Sequence, residues 1–126
     1  RHRFVCYIAI QRMIEGEAKQ AAMAAFVADP FLKFAIVVDE DVDITSDTEV
    51  MHAIATRVRA DRDMFTVPFA KGSPLDPASY DPEHGSHLVT KLGIDATRKD
   101  NYPEEISIPG VADIDLADFI DGYEAP

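Results

Sequence analysis

The run Ala35-Ile36-Val37-Val38-Asp39-Glu40-Asp41-Val42-Asp43-Ile44 restricts the fold more than any other part of the chain: an apolar, β-branched stretch leads directly into four acids. A short run this rich in Val and Ile reads as a strand buried on both faces, of the kind found inside a parallel sheet. Such a strand needs covering layers on both sides, which directs the chain to an α/β architecture. Acids at its carboxyl end stand where open α/β sheets bind ligands. The same segment therefore predicts a fold and marks a candidate site.

The flanking sequence agrees with that fold. Phe4 to Ile10 is short, apolar and rich in β-formers, and reads as another buried strand. Glu15 to Asp29 reads as a helix. Its Ala18, Ala21, Ala22, Ala25 and Phe26 share one face, and Pro30 stops it. Ser46 with Glu49 forms a capping-box pattern that opens a second helix, with Val50, Met51, Ile54, Ala55 and Val58 assigned to one face. Arg57 and Arg59 suit the negative end of that helix's dipole. Met64 to Pro68 reads as a third strand. The alternation predicts parallel β-α-β units in a single three-layer α/β/α sandwich with a mainly parallel sheet. Beyond Ala70 the chain is punctuated by Pro and Gly up to Gly85. Val89 to Thr97 stays ambiguous, with Gly93 opposing a regular helix. Ile106 to Ile108 is expected as an edge strand, and Ala112 to Asp121 as a short acidic helix.

Bulk composition narrows the function. A chain of 126 residues suffices for one domain with a core. A net charge of −11 disfavours nucleic acid and anionic membrane surfaces as partners. No apolar run approaches the ~20 residues of a membrane span. The single cysteine, Cys6, excludes an internal disulfide and reads as an inert buried thiol; with no signal peptide visible, a cytoplasmic location is expected. A chain that opens at Arg1 and enters a strand almost at once is expected to be part of something longer.

Several groups of residues have ligand chemistry. Asp39, Glu40, Asp41 and Asp43 could hold Mg²⁺ through carboxylate oxygens, as in a receiver-like phosphoacceptor domain. Such a domain also needs an acid at the end of its third strand, where this chain has Thr66-Val67-Pro68-Phe69. The preferred reading is that these acids cap helix ends and bind loop backbone. His84 and His87, beside Asp81 and Glu83, offer zinc-type ligands, but no third distant ligand accompanies them, and solvated loop histidines are the preferred reading. His52 reads as a helix-flank residue. There is no Gly-rich nucleotide fingerprint, Walker motif, C-x-x-C or nucleophile elbow, so no catalytic set and no metal site is assigned within the chain.

Four ordered segments carry a resemblance. They are Val37-Val38-Asp39-Glu40-Asp41-Val42-Asp43; Val50-Met51-His52-Ala53-Ile54-Ala55-Thr56-Arg57 with Asp61-Arg62-Asp63; Gly72-Ser73-Pro74-Leu75-Asp76-Pro77; and Thr90-Lys91-Leu92-Gly93-Ile94-Asp95-Ala96-Thr97. Together they resemble the C-terminal domain of UbiD-type decarboxylases, over about Val5 to Arg98. The resemblance implies a domain, here 1–126, of a reversible non-oxidative decarboxylase of aromatic or α,β-unsaturated acids. It implies prenylated FMN with a divalent metal and potassium in the full enzyme, held by N-terminal and middle domains absent from this chain. The isolated chain would then be inactive. Its expected partners are those domains and further copies of the enzyme in a homo-oligomer. The resemblance places Leu75, with Pro74 and Ser73 beside it, at an apolar wall of the substrate pocket. It makes Asp39, Asp41, Asp43 and Asp95 structural signature acids. Two departures stand out: His52 replaces a tryptophan common in the family, and the terminal helix is short. A stand-alone interaction or regulatory domain without chemistry is the alternative from another functional class.

Overall fold

The computed structural model describes residues 3–99, and the elements expected over 106–108 and 112–121 lie outside them. The chain runs β1 (Val5–Ile10), α1 (Glu17–Ala28), β2 (Phe34–Asp39), α2 (Asp47–Arg57), a single turn α3 (Ala60–Asp63), β3 (Met64–Lys71), β4 (Tyr80–Asp81) and β5 (Ser86–Ala96). The strand order is β1-β2-β5-β3, with β4 paired to β5. β1, β2 and β5 are parallel neighbours.

Alternation along β2 explains why its whole run is apolar. Ala35 and Val37 point into the layer formed with Ala18, Ala22 and Phe26 of α1. Ile36 and Val38 point the other way, into the layer formed with Val50 and Ala53 of α2 and Ile94 and Ala96 of β5. A strand with a helix on each face has no solvent side, so every second position cannot be polar. The small alanines of α1 let that helix lie close to the sheet. Asp29 caps its end through its amide, bonded to the Ala25 carbonyl at 2.9 Å. Beyond it the buried ammonium of Lys91 donates to the carbonyls of Pro30 (2.7 Å) and Leu32. Burial holds the Lys91 pKa below its ordinary value, against the opposing pull of Asp29.

Two sequence expectations are corrected and one open reading is closed. β3 is a strand as expected, but it runs antiparallel to β5 and does not complete a second parallel β-α-β unit. The reason is connectivity: β3 reaches β5 through a loop and the tight β4–β5 turn, with no crossover helix between them. Of the ambiguous stretch Val89 to Thr97, all but Thr97 belongs to β5 and makes up its greater part. Its Gly93 lies under the Phe65 ring, where an added Cβ would come within 2.2 Å of Phe65 Cε1. Gly in this strand reflects close approach of a ring, not a turn. On α2 the buried residues are Val50, Ala53 and Arg57, while Met51 and Ala55 face solvent. The N-cap is as expected, with Ser46 Oγ accepting from the Glu49 amide at 3.3 Å. The Glu49 carboxylate reaches past the cap to the Asp43 amide, at 2.8 Å. No helix among the described residues is long and apolar enough to cross a membrane.

Candidate functional site

The carboxyl end of β2 turns at once. The Val42 amide bonds back to the Asp39 carbonyl, and Val42 is buried beneath the turn. This projects Asp39 and Asp41 toward the last turn of α2, where Arg57 meets them. Arg57 Nη1 donates to Asp39 at 2.8 Å and to Asp41 at 3.2 Å, and Nη2 donates to Asp41 at 3.1 Å. The Arg98 amide donates to Asp39 at 2.8 Å, and its guanidinium to Asp41 at 3.0 Å. The Arg57 hydrogen bond is the largest influence on the Asp41 carboxyl and, despite the opposing effect of partial burial, holds its pKa below the ordinary range, helped by the charges of Arg57 and Arg98. A planar guanidinium matched to a carboxylate through two nitrogens is a strong pairing. Arg57 thus lies between the two carboxylates that Mg²⁺ would need.

The other signature acids are also engaged. Asp43 accepts from the Thr45 amide (2.9 Å) and hydroxyl (2.6 Å). Asp95, at the end of β5, accepts from the Thr97 amide at 3.0 Å and lies 3.0 Å from Lys99 Nζ. Lys99 also approaches the buried Asp63, at 3.7 Å. Burial raises the Asp63 pKa, but Arg62, the Arg59 amide and Lys99 outweigh it, and the net shift is downward. Glu40 is exposed and borders a shallow cleft with Arg12 and Arg98. Sequence reasoning gave Arg57 only a dipole role. Its signal was available in hindsight: an arginine on the apolar face of a helix needs an acidic partner there.

The Gly72–Ser79 segment is a compact loop whose two ends meet. The Gly72 amide bonds to the His87 carbonyl at 2.8 Å, and the Leu88 amide bonds to the Ser79 carbonyl at 2.8 Å. A Cβ on Gly72 would lie 3.0 Å from Ser79 Cβ and 3.1 Å from Val89 Cγ1, tighter than ordinary contact, so a side chain there would press against the closure. Inside the loop the Asp76 amide bonds to the Ser73 carbonyl (3.0 Å), the Ala78 amide to the Asp76 carboxylate (3.0 Å) and the Leu75 amide to Ser73 Oγ (3.1 Å). Lys33 fastens the loop to the start of β2, with Nζ 2.8 Å from Asp76 Oδ2. That bond is the main reason the Asp76 pKa is lowered. Ser73, Asp76 and Ser79 are buried, whereas Pro74 is exposed and Leu75 is 72% exposed at the tip. A rigid polar frame therefore holds out one large apolar side chain.

The two loop histidines do not come together. His84 Nδ1 lies 2.9 Å from Asp81 Oδ2, on an exposed turn where Asp81 also accepts the Glu83 amide. Asp81, Glu83 and His84 bring ligand atoms within 4.8 Å of one another. His87 is held elsewhere, with Nδ1 2.9 Å from Ser79 Oγ. His52 is half-buried on the flank of α2. Cys6 is half-buried as well, and burial pushes its thiol pKa up, away from the reactive thiolate. The loop does not fit a flavin phosphate either. A phosphate cradle needs free backbone N–H groups, and the amides of Gly72, Leu75, Asp76, Ala78 and Ser79 are already bonded within the domain.

Residues 1–96 match the model of the 3-octaprenyl-4-hydroxybenzoate carboxy-lyase C-terminal domain. The chain belongs to the UbiD family. Among its relatives is the anhydromevalonate phosphate decarboxylase of Aeropyrum pernix, 47% identical over 91 residues, which cover 72% of this chain and 20% of that protein. Among solved structures, the UbiD-class enzyme HmfF from Pelotomaculum thermopropionicum in complex with FMN superposes with a TM-score of 0.74 at 43% identity. The match covers 94% of this chain and 26% of that one. An evolved dimeric form of HmfF in complex with prFMN gives a TM-score of 0.62 at 36% identity, over 94% of this chain and 23% of that one. The chain thus spans about a fifth to a quarter of the relatives it matches. The domain is of the kind found at the C-terminus of decarboxylase-family enzymes.

Proposed function

We propose that this chain is the C-terminal domain or subunit of a UbiD-type reversible, non-oxidative decarboxylase of aromatic or α,β-unsaturated carboxylic acids. The observation that carries the reading is the tip of the Gly72–Ser79 loop. Leu75 is exposed by 72% on a loop whose Ser73, Asp76 and Ser79 are buried and hydrogen-bonded within it. An apolar side chain held out on a rigid frame suits an apolar wall of a pocket completed by another domain. Pro74 flanks it, and Ser73 sets its angle through the Leu75 amide. Such a wall acts by shaping the pocket and excluding water, not by proton transfer.

The prenylated FMN, divalent metal and potassium of this reading are held by the N-terminal and middle domains of the full enzyme. When bound, the flavin supplies the electron sink that decarboxylation requires. This chain contributes positioning, shielding and a surface for oligomer assembly, and it is inactive alone. Supporting the reading are the relative named as an anhydromevalonate phosphate decarboxylase and the FMN and prFMN complexes of HmfF.

The test is co-expression with the flavin-binding domains, followed by purification. The expected result is a complex with flavin absorbance, stoichiometric in this chain, that releases CO₂ from anhydromevalonate phosphate or a hydroxylated benzoate. A stable monomer that finds no flavoprotein partner overturns it.

A further inference from the structure

The loop that presents Leu75 closes on one residue of β5. The backbone carbonyl of His87 takes the Gly72 amide at the start of the loop, and its imidazole meets Ser79 at the end. Ser79 is 1% exposed, and its hydroxyl has three neighbours: the carbonyls of Ser73 and Asp76, both at 2.8 Å, and His87 Nδ1 at 2.9 Å. A hydroxyl carries one hydrogen and two acceptor lone pairs, whereas a carbonyl only accepts. Were the hydrogen directed at Nδ1, both carbonyl oxygens would face the lone pairs of Ser79 Oγ with nothing between them. Directed at the two carbonyls, the hydrogen closes the loop on itself and leaves a lone pair toward the ring. Nδ1 then has to carry a hydrogen.

We infer that His87 is a positioning residue: its Nδ1–H donates to Ser79 Oγ and latches the Gly72–Ser79 loop in the form that holds Leu75 out toward substrate. The inference deepens the proposed function and rests on it only for the role of Leu75. The latch is local and specific. The Tyr80 ring lies 5.6 Å from the imidazole and steadies its plane, and Lys33 secures Asp76 on the far side of the loop. His84, three residues away, belongs to the separate Asp81 turn and takes no part.

The experiment uses the full-length, flavin-loaded enzyme with His87→Ala, His87→Asn and, for comparison, Leu75→Ala. Hydrogen–deuterium exchange is followed on peptides covering residues 72–79, with 35–38 in β2 as the control for an intact fold. His87→Ala is expected to speed exchange of the loop amides roughly tenfold, the scale of one buried hydrogen bond. His87→Asn, whose carboxamide N–H occupies the place of Nδ1–H, restores protection. Loss of kcat/KM on anhydromevalonate phosphate in His87→Ala then parallels that in Leu75→Ala and recovers in His87→Asn. Unchanged loop exchange in His87→Ala overturns the latch, and so does an Asn variant that exchanges as fast as Ala. Faster loop exchange with unchanged kinetics in both His87→Ala and Leu75→Ala leaves the latch standing and overturns the role of Leu75.

Discussion

Arg57 decides the meaning of the acidic run. Its side chain is 3% exposed, and it gathers Asp39 and Asp41 into one ion-paired group at the end of β2. Removing one member of a buried pair costs about 3–5 kcal/mol because a charge is stranded. Here Asp41 reaches solvent and Arg98 remains beside it, so Arg57→Ala is expected to cost less, about 2–3 kcal/mol. Chemical denaturation would show this as a lower midpoint with an unchanged slope. Leu75 is the opposite case. It is exposed, so Leu75→Ala should leave the unfolding free energy within about 0.5 kcal/mol of the parent. If Leu75 lines the substrate pocket, the same change lowers kcat/KM in the full enzyme. A loss of stability without a change in kinetics would instead make it a loop anchor.

At the scale of elements, β5 is the strand the sequence concealed. Eleven residues long, it pairs with β2, β3 and β4, yet it contains Lys91, Gly93 and Asp95, none a strong strand former. Each is there for a tertiary reason. Lys91 holds the carbonyls after α1, Gly93 makes room for Phe65, and Asp95 fixes Thr97 and Lys99. Gly93→Ala forces the Phe65 ring from its edge-on contact with Phe26, whose centroid lies 6.4 Å away, and is expected to destabilise by about 1–3 kcal/mol in thermal melts. The start of α2, by contrast, is legible. Ser46→Ala removes the hydroxyl that accepts the Glu49 amide and should cost about 1 kcal/mol by the same measurement.

Across the whole molecule, several carboxylates are tied to cations and backbone amides. Asp41, Asp63, Asp76 and Asp81 all have pKa values below the ordinary carboxylate range. The sign follows by linkage. A group whose folded pKa is depressed contributes stability above its unfolded value, near about 4, and loses that contribution as pH falls through the folded value. Stability should therefore be flat from neutral pH down to about 5 and decline below about 4. The Gly72–Ser79 loop should share in that loss as Asp76 releases Lys33. Denaturation midpoints across that range check it, and a decline that begins well above pH 5 would overturn the carboxylate account.

The sequence by itself determined the buried strand that begins at Ala35, the helix before it, the Ser46 cap and the family, because each rests on local pattern or on motifs in order. Hydrophobic period and capping chemistry act over a few residues and can be read from neighbours alone. Only the tertiary structure decided that β3 runs antiparallel, that β5 lies between β2 and β3, and that Arg57 faces the acids from sixteen and eighteen positions away. It also decided that His87 parts from His84 to close on Ser79. Those outcomes depend on which distant groups the sheet brings within about 3 Å, the reach of a hydrogen bond, and no spacing along the chain encodes that distance.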